Sequence, residues 1–426
     1  MAFLTRVLLL LAVVPSAGAD NWERFRGPNA AGIADDKNIP ITFNTTEHVL
    51  WKYVLTGIGN SSPIVWGDRL FLHASSKDGT SRSLICLRVA DGKLLWEQSV
   101  PGIHVQIRAD SSFASSTPTT DGQHVYVSFW DGKDILLTAF DFKGEKRWSK
   151  NLGDFNSQHG PGASPILVGD KLILANDMDK DDFTTKKPNE RPSFLMCFNK
   201  RTGELLWETP RTAERACYSA PFVRQRTGRL PELIVTNTKS VSAYNLDSGS
   251  LLWEAKNWQD GGAKSPLRTV ATPALLGDVL CVTSGGDAGR FAVGLELPNG
   301  TSTAPKQLWD NRKDFPYVAS PLAHGDHFYF VNDAGFAGCY EARTGKRIWQ
   351  ERISEAGFHS SPLLIDGKVY AVSSAGDVFV FPAATTFRLL ARNEMGETIR
   401  ATPAVAAGRL YLRGDKHLYC IARTSN

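Results

Sequence analysis

One short motif recurs eight times along this chain and leaves few architectures open to it. Ser, Thr or Ala stands directly before a proline in "NSSPIVWGDRLFL", "SSTPTTDGQHVYV", "GASPILVGDKLIL", "YSAPFV", "VATPALLGDVLCV", "VASPLAHGDHFYF", "HSSPLLIDGKVYA" and "RATPAVAAGRLYL". The prolines, Pro63, Pro118, Pro165, Pro221, Pro273, Pro321, Pro362 and Pro403, follow one another at intervals of 41 to 56 residues. Each unit holds short alternating apolar runs broken by Gly-Asp or Asp-Gly turns, which is the pattern of four consecutive antiparallel strands. Repeats of this period and content stack as the blades of a β-propeller, here with eight blades. The proline marks the start of each innermost strand, where a missing N–H costs no ladder bond.

The fourth strand of most units carries a tryptophan four residues after a glycine: Gly92/Trp96, Gly144/Trp148, Gly203/Trp207, Gly249/Trp253 and Gly345/Trp349. The fifth unit keeps Trp309 behind the longer "PNGTSTAPK", and the seventh offers Leu390 in "TTFRLL". A ring at this place covers the gap between neighbouring blades. The eighth unit ends at "LYCIARTSN", three strands long and without its tryptophan. The one unassigned "LW" lies in "EHVLWKYVL" near the other end, so Trp51 is expected to complete the last blade and close the ring, removing an otherwise open edge. Residues 47–426 thus form a single all-β domain, preceded by an extension over 20–46 expected to pack along its surface.

The first 19 residues read as a secretory leader, with a cation at Arg6, an apolar run from Val7 to Val14 and small residues at Ala17 and Ala19 before the expected cleavage point. That run is too short to span a bilayer. The net charge of the whole chain, +4, and its scattered Lys and Arg do not describe a nucleic-acid footprint. The chain is expected to be exported, periplasmic or secreted, and monomeric. The sequons at Asn44 and Asn299 carry weight only in a glycosylating host.

Six cysteines in such a chain raise the question of disulfides. Cys86, Cys197, Cys339 and Cys420 share one position of the third strand, where the second and fourth units have Ala139 and Ala243. A slot shared by Cys and Ala is small and buried, and neighbouring blades stand too far apart for bridging. With Cys217 and Cys281 elsewhere, all six are read as free thiols. The loop "NDMDKDDFTTKKPNERP" places Asp177, Asp179 and Asp181 at alternate positions, like the first half of a Ca²⁺ loop. Asp182 and Pro188 stand where such a loop has Gly and Glu, so it reads as a solvated charged loop and no metal site is assigned. "SGGDAGR" lies between two strands and reads as a turn, lacking the helix start of a phosphate cradle.

The place to look for function is the mouth of the central channel, because every blade enters it from the same side. Three residues before the prolines stand Asn60, Ser115, Gly162, Tyr218, Val270, Val318, His359 and Arg400, with Arg108, Asp110, His159, Arg215, Arg268 and Tyr317 close by in sequence. Arg108, His159, Tyr218, Arg268, Tyr317, His359 and Arg400 form the candidate rim, with Arg268 and Arg400 the expected anchors for an anionic group. His359 has neither an elbow serine nor an acid in sequence reach, so no base is assigned. Arg24 and Arg26 in "FRGPNAAGIAD" leave a contact role for the N-terminal extension.

The "SP…GD…Y…G…W" unit resembles the tryptophan-docked repeat of pyrroloquinoline quinone (PQQ) propellers. The opening "NWERFRGPNAAGI" and "LWKYVLTGIGNSSPIVWGDRLF" are similar to exported PQQ-repeat-like proteins of planctomycete-type bacteria. The resemblance spans essentially the whole mature chain and implies an eight-bladed ring. It also implies two kinds of function: quinone-dependent dehydrogenases that hold PQQ with Ca²⁺, and non-enzymatic propellers such as the outer-membrane assembly lipoprotein. The dehydrogenases carry adjacent bridged cysteines, a tryptophan floor and Glu, Asn and Asp ligands. This chain has no Cys-Cys pair and no residue onto which the catalytic aspartate can be placed. A binding and interaction scaffold is therefore the first reading, with an unidentified protein or small anionic ligand at the rim, and a PQQ-dependent oxidoreductase with a reduced site is the alternative.

Overall fold

The computed structural model describes residues 21–181, 187–188, 192–256, 258–259, 267–299 and 303–424. The expected leader lies outside them. Eight antiparallel sheets follow one another around a ring. The first blade sets the pattern: β3 (Ile64–Trp66) is innermost, followed outward by β4 (Arg69–Ser75), β5 (Ser81–Arg88) and β6 (Leu94–Pro101). Blades 2 to 7 begin at Thr119, Ile166, Phe222, Ala274, Leu322 and Leu363, each directly after its proline. Blade 8 is built from Ala404–Ala406, Arg409–Arg413 and His417–Ile421, and its outer strand is β2 (Val49–Val54) from the other end of the chain. Trp51 lies opposite Cys420, as Trp96 lies opposite Cys86. No helix among the described residues is long and apolar enough to cross a membrane.

The glycine and tryptophan of the repeat serve different junctions. Six indoles dock forward onto the outer turn of the next blade; among them Trp51 Nε1 donates to Val89 O at 2.9 Å, Trp96 to Phe142 O at 3.0 Å, and Trp207 to Leu246 O at 3.1 Å. Trp253 Nε1 has no partner among the described residues. The glycine of that turn has a left-handed φ and lies against the incoming ring, so a Cβ on Gly92 would come 2.5 Å from Trp51, and one on Gly203 2.7 Å from Trp148. The indole also covers its cross-strand partner, which explains the small slot: Cys86, Cys197, Cys339 and Cys420, Ala139 and Ala243, and Gly294 under Trp309. All six cysteines are buried free thiols. Burial pushes Cys86, Cys197 and Cys420 up to about 12 and Cys217 and Cys339 up to about 11.

Blade 7 differs from expectation by one residue. Val380 pairs with Ala391, so Ala391 and not Leu390 holds the tryptophan register. The lack of a tryptophan at this position has a topological reason. A tryptophan there would dock on the outer turn of blade 8, and blade 8 has none, since its third and outer strands come from opposite ends of the chain. The N-terminal segment covers this gap instead: Ile39 and Phe43 are buried, Asn393 bonds the backbone of Ile41 and Phe43, and Tyr370 Oη reaches Pro40 O.

The serine or threonine before each proline has a structural task. Its hydroxyl oxygen accepts the backbone N–H of the equivalent residue one blade earlier, at Ser62→Thr117, Thr117→Ser164, Ala220→Thr272, Thr272→Ser320, Ser320→Ser361 and Ser361→Thr402, all between 2.9 and 3.2 Å. Ala220 has no hydroxyl and interrupts the series. From blade 8 to blade 1 the buried Arg413 donates to Ser61 O and His73 O.

Candidate functional site

The stretch from Trp22 to Ala34, expected to pack along the surface, does more than that. Trp22 bridges to Val65 of blade 1, Glu23 O accepts from Thr120 of blade 2, Arg24 donates to Pro221 O of blade 4, and Arg26 donates to Pro321 O of blade 6. Five consecutive residues can meet opposite sides of an eight-membered ring only by crossing its axis. Trp22, Arg24 and Arg26 are buried. The chain then leaves through left-handed positions at Arg26, Asn29 and Ala30 and adds β1 (Ile33–Ala34) in parallel to blade 7. Burial pulls the Arg24 guanidinium down to about 10 and that of Arg26 to about 9.

Above this plug lies a cavity of about 430 Å³. All eight positions three residues before the prolines line it, as do Arg108, Asp110, His159, Arg215, Arg268 and Tyr317. The sequence rim is therefore one physical ring. Below it a second tier is formed by residues directly before the prolines, including Thr117, Ser164, Ser361 and Thr402, and Phe25 of the plug reaches the same space. Gly285, Gly286 and Arg290 of the "SGGDAGR" turn also line the cavity. A Cβ at Gly285 would come 2.5 Å from Tyr317 Cβ and 2.6 Å from its ring, so only glycine lets Tyr317 pack this closely against the strand.

The rim is lopsided. Blades 4 to 6 contribute Arg215, Tyr218, Arg268, Val270, Arg290 and Tyr317, whereas blades 7, 8, 1 and 2 contribute hydroxyl and amide groups interspersed with Arg108, Asp110, His359 and Arg400. Arg268 is not the free anchor expected: its Nη2 donates to both oxygens of Asp179, at 3.0 and 3.1 Å. Arg215 Nε shares the same carboxylate at 3.2 Å. The acid comes from the stretch read as a solvated loop, and that reading is corrected for its first part: Asp177 and Asp179 are both buried, Asp177 against Arg211 at 3.1 Å. Arginines so near leave these carboxylates better used as internal counter-ions than as Ca²⁺ ligands. Arg290 is held by Asp333 at 3.0 Å. Arg108 and Arg400 approach acids only at 3.8 Å, Asp110 and the half-exposed Asp415. They are the cations with most capacity left.

Both histidines are tied to serines. With the Gln158 amide turned so that its oxygen meets the surrounding donors, it accepts from Arg268 Nη1 at 2.8 Å, from Arg215 and from His159 Nε2. His159 Nδ1 is then the acceptor for Ser111 Oγ at 2.8 Å. Burial and the adjacent Arg268 pull His159 down to about 4. His359 Nδ1 pairs with Ser374 Oγ at 2.6 Å, and burial, with Arg400 nearby, pulls it below the usual range. Both rings are neutral near pH 7.

The profile of the family described as outer membrane protein assembly factor BamB matches residues 36–180 and 189–388. The chain belongs to that family. Among solved structures it is similar to BamB from Moraxella catarrhalis (13% identity, TM-score 0.61, covering 88% of this chain and 97% of the other). It is similar as well to a europium-containing methanol dehydrogenase (11%, 0.57, 95% and 98%) and to Sqt1 of Saccharomyces cerevisiae (12%, 0.59, 91% and 100%). At these identities the likeness is one of fold. Among curated proteins none matches the sequence.

A Ca²⁺-bound quinone does not fit the rim. Ca²⁺ takes six to eight oxygen ligands, several of them carboxylates, whereas Asp110 and Asp333 here face arginines. Among the described residues no group of three or more His, Cys, Asp and Glu could hold a metal ion. Sequence reasoning missed Phe25, which lies outside the repeat, and Asp179, whose partner Arg268 is 89 residues away.

Proposed function

We propose that this chain is an exported, non-catalytic binding propeller whose rim cavity takes a small anionic ligand or the acidic end of a partner. The carrying observation is the single cavity shaped by all eight blades, in which Arg108 and Arg400 retain donor capacity while the histidines are neutral and bonded to serines. A guanidinium with free N–H groups grips a carboxylate through two parallel bonds. Five arginines line the cavity against three aspartates, Asp110, Asp287 and Asp333, so the balance at the rim favours an anion. Membership of the assembly-factor family supports a binding role, and export agrees with the leader read in residues 1–19.

The test is calorimetric titration of the purified protein with benzoate and citrate. Binding is expected in the wild type and lost in Arg108→Ala/Arg400→Ala, whose melting temperature stays within a few degrees of wild type. Dye-linked oxidation of alcohols or sugars with added PQQ and Ca²⁺ is expected to stay at background. PQQ-dependent turnover on the order of 10 s⁻¹ would establish the oxidoreductase instead.

A further inference from the structure

Beneath the cationic rim, the tier of residues before the prolines has chemistry that the ring junctions leave unused. Thr117, Ser164, Ser361 and Thr402 line the cavity and are each at most 5% exposed. Each hydroxyl oxygen already accepts a backbone N–H from the preceding blade. A hydroxyl carries one proton and two lone pairs, and among the described residues none of these four donates its proton to a protein acceptor. The neighbouring N–H holds each oxygen and occupies one lone pair, leaving the O–H free to turn toward the cavity, so on blades 2, 3, 7 and 8 the tier is a partial collar of O–H donors. Buried donors of this kind are costly to leave unmatched.

The walls on either side narrow the ligand further. Above the collar stand Arg108 and Arg400, and the wall also holds Phe25, Tyr218 and Tyr317, the last with the Arg290 guanidinium 5.2 Å from its ring centroid. We infer that the cavity is a site for a small polyhydroxylated carboxylic acid of the sugar-acid class. Its carboxylate meets the rim arginines, its oxygens accept from the collar hydroxyls, and the C–H face of its ring rests on the aromatic side chains. This inference rests on the anion-binding reading above and adds the requirement for several acceptor oxygens.

The ring supplies its own control. Thr272 and Ser320 make the same inter-blade bond as Thr402 and Ser361 but do not line the cavity. Thr272→Val and Thr402→Val therefore remove equivalent structural bonds, and only the second removes a collar donor; Ser320→Ala and Ser361→Ala form a matched second pair. The experiment titrates the full chain with glucuronate and with cyclohexanecarboxylate, a ring acid without hydroxyls. Glucuronate is expected to bind more tightly. Thr402→Val and Ser361→Ala should each weaken it by on the order of fivefold, leaving cyclohexanecarboxylate unchanged, while Thr272→Val and Ser320→Ala should leave both affinities at wild-type values. Equal affinity for the two acids, or equal effects of the lining and non-lining variants, overturns the collar and leaves the anionic rim standing. Binding of neither acid overturns both.

Discussion

Replacing Trp51 by alanine tests ring closure where it is least protected. The indole is 9% exposed, donates to Val89 O at 2.9 Å, and lies against Gly92 with Tyr411 6.0 Å away between ring centroids. Loss of a buried tryptophan with these contacts should cost about 3–5 kcal/mol. Trp207 is the internal control, since it is also 9% exposed and donates to Leu246 O at 3.1 Å, but within a blade of continuous chain. Both variants should lose similar stability in equilibrium denaturation. Hydrogen exchange should separate them: Trp51→Ala should release protection along Val49–Val54 and His417–Ile421 before the rest of the ring, whereas Trp207→Ala should loosen the junction between blades 3 and 4. A loss below about 1 kcal/mol for Trp51→Ala, or unchanged protection of His417–Ile421, would refute non-covalent closure as the weak joint.

Other consequences are as direct. Arg268→Ala should destabilise by about 3 kcal/mol, measured by urea denaturation, because it strips the buried Asp179 of its closest cation. Gly203→Ala should cost at least about 1–2 kcal/mol for the left-handed backbone alone, plus displacement of Trp148, visible as a fluorescence change. Burial pulls His73 down to about 3, so its stabilising effect is complete above its unfolded pKa of about 6.5 and fades as pH falls toward 3; denaturation midpoints of His73→Leu should show a flatter acid limb by up to one proton. Thiol titration of the denatured, unreduced chain should count six free cysteines, and four would reveal a bridge.

The architecture was legible because the repeat encodes it twice, once in the proline spacing and once in the tryptophan register. The same counting identified Trp51 as the closing residue and placed all eight rim positions. It failed by one residue at Leu390, because register there depends on a cross-strand pair that periodicity does not display. The Ser/Thr before each proline was visible as a marker, but its bond runs to another blade some 41 to 55 residues away. Arg268 looked like a free anchor for a similar reason: its partner belongs to a loop whose charge suggested solvent. The crossing of the axis by Trp22–Arg26 has no signature in the repeat, since it is fixed by contacts to four blades at once.

Those contacts also govern the order in which the molecule can assemble. Arg26 finds its carbonyl 295 positions later, and Asp36 receives the Gly408 N–H 372 positions later. Joining such distant points carries a large entropic cost, and topologies dominated by distant pairings form slowly. The Trp22–Asp36 segment is thus among the last to settle. Until Val49–Val54 pairs as well, His417–Ile421 presents an unpaired edge, the kind of surface that recruits other strands. A Val49–Val54 strand from a second copy satisfies that edge with the same register. At high concentration during refolding, exchange of this strand between two chains competes with closure of one.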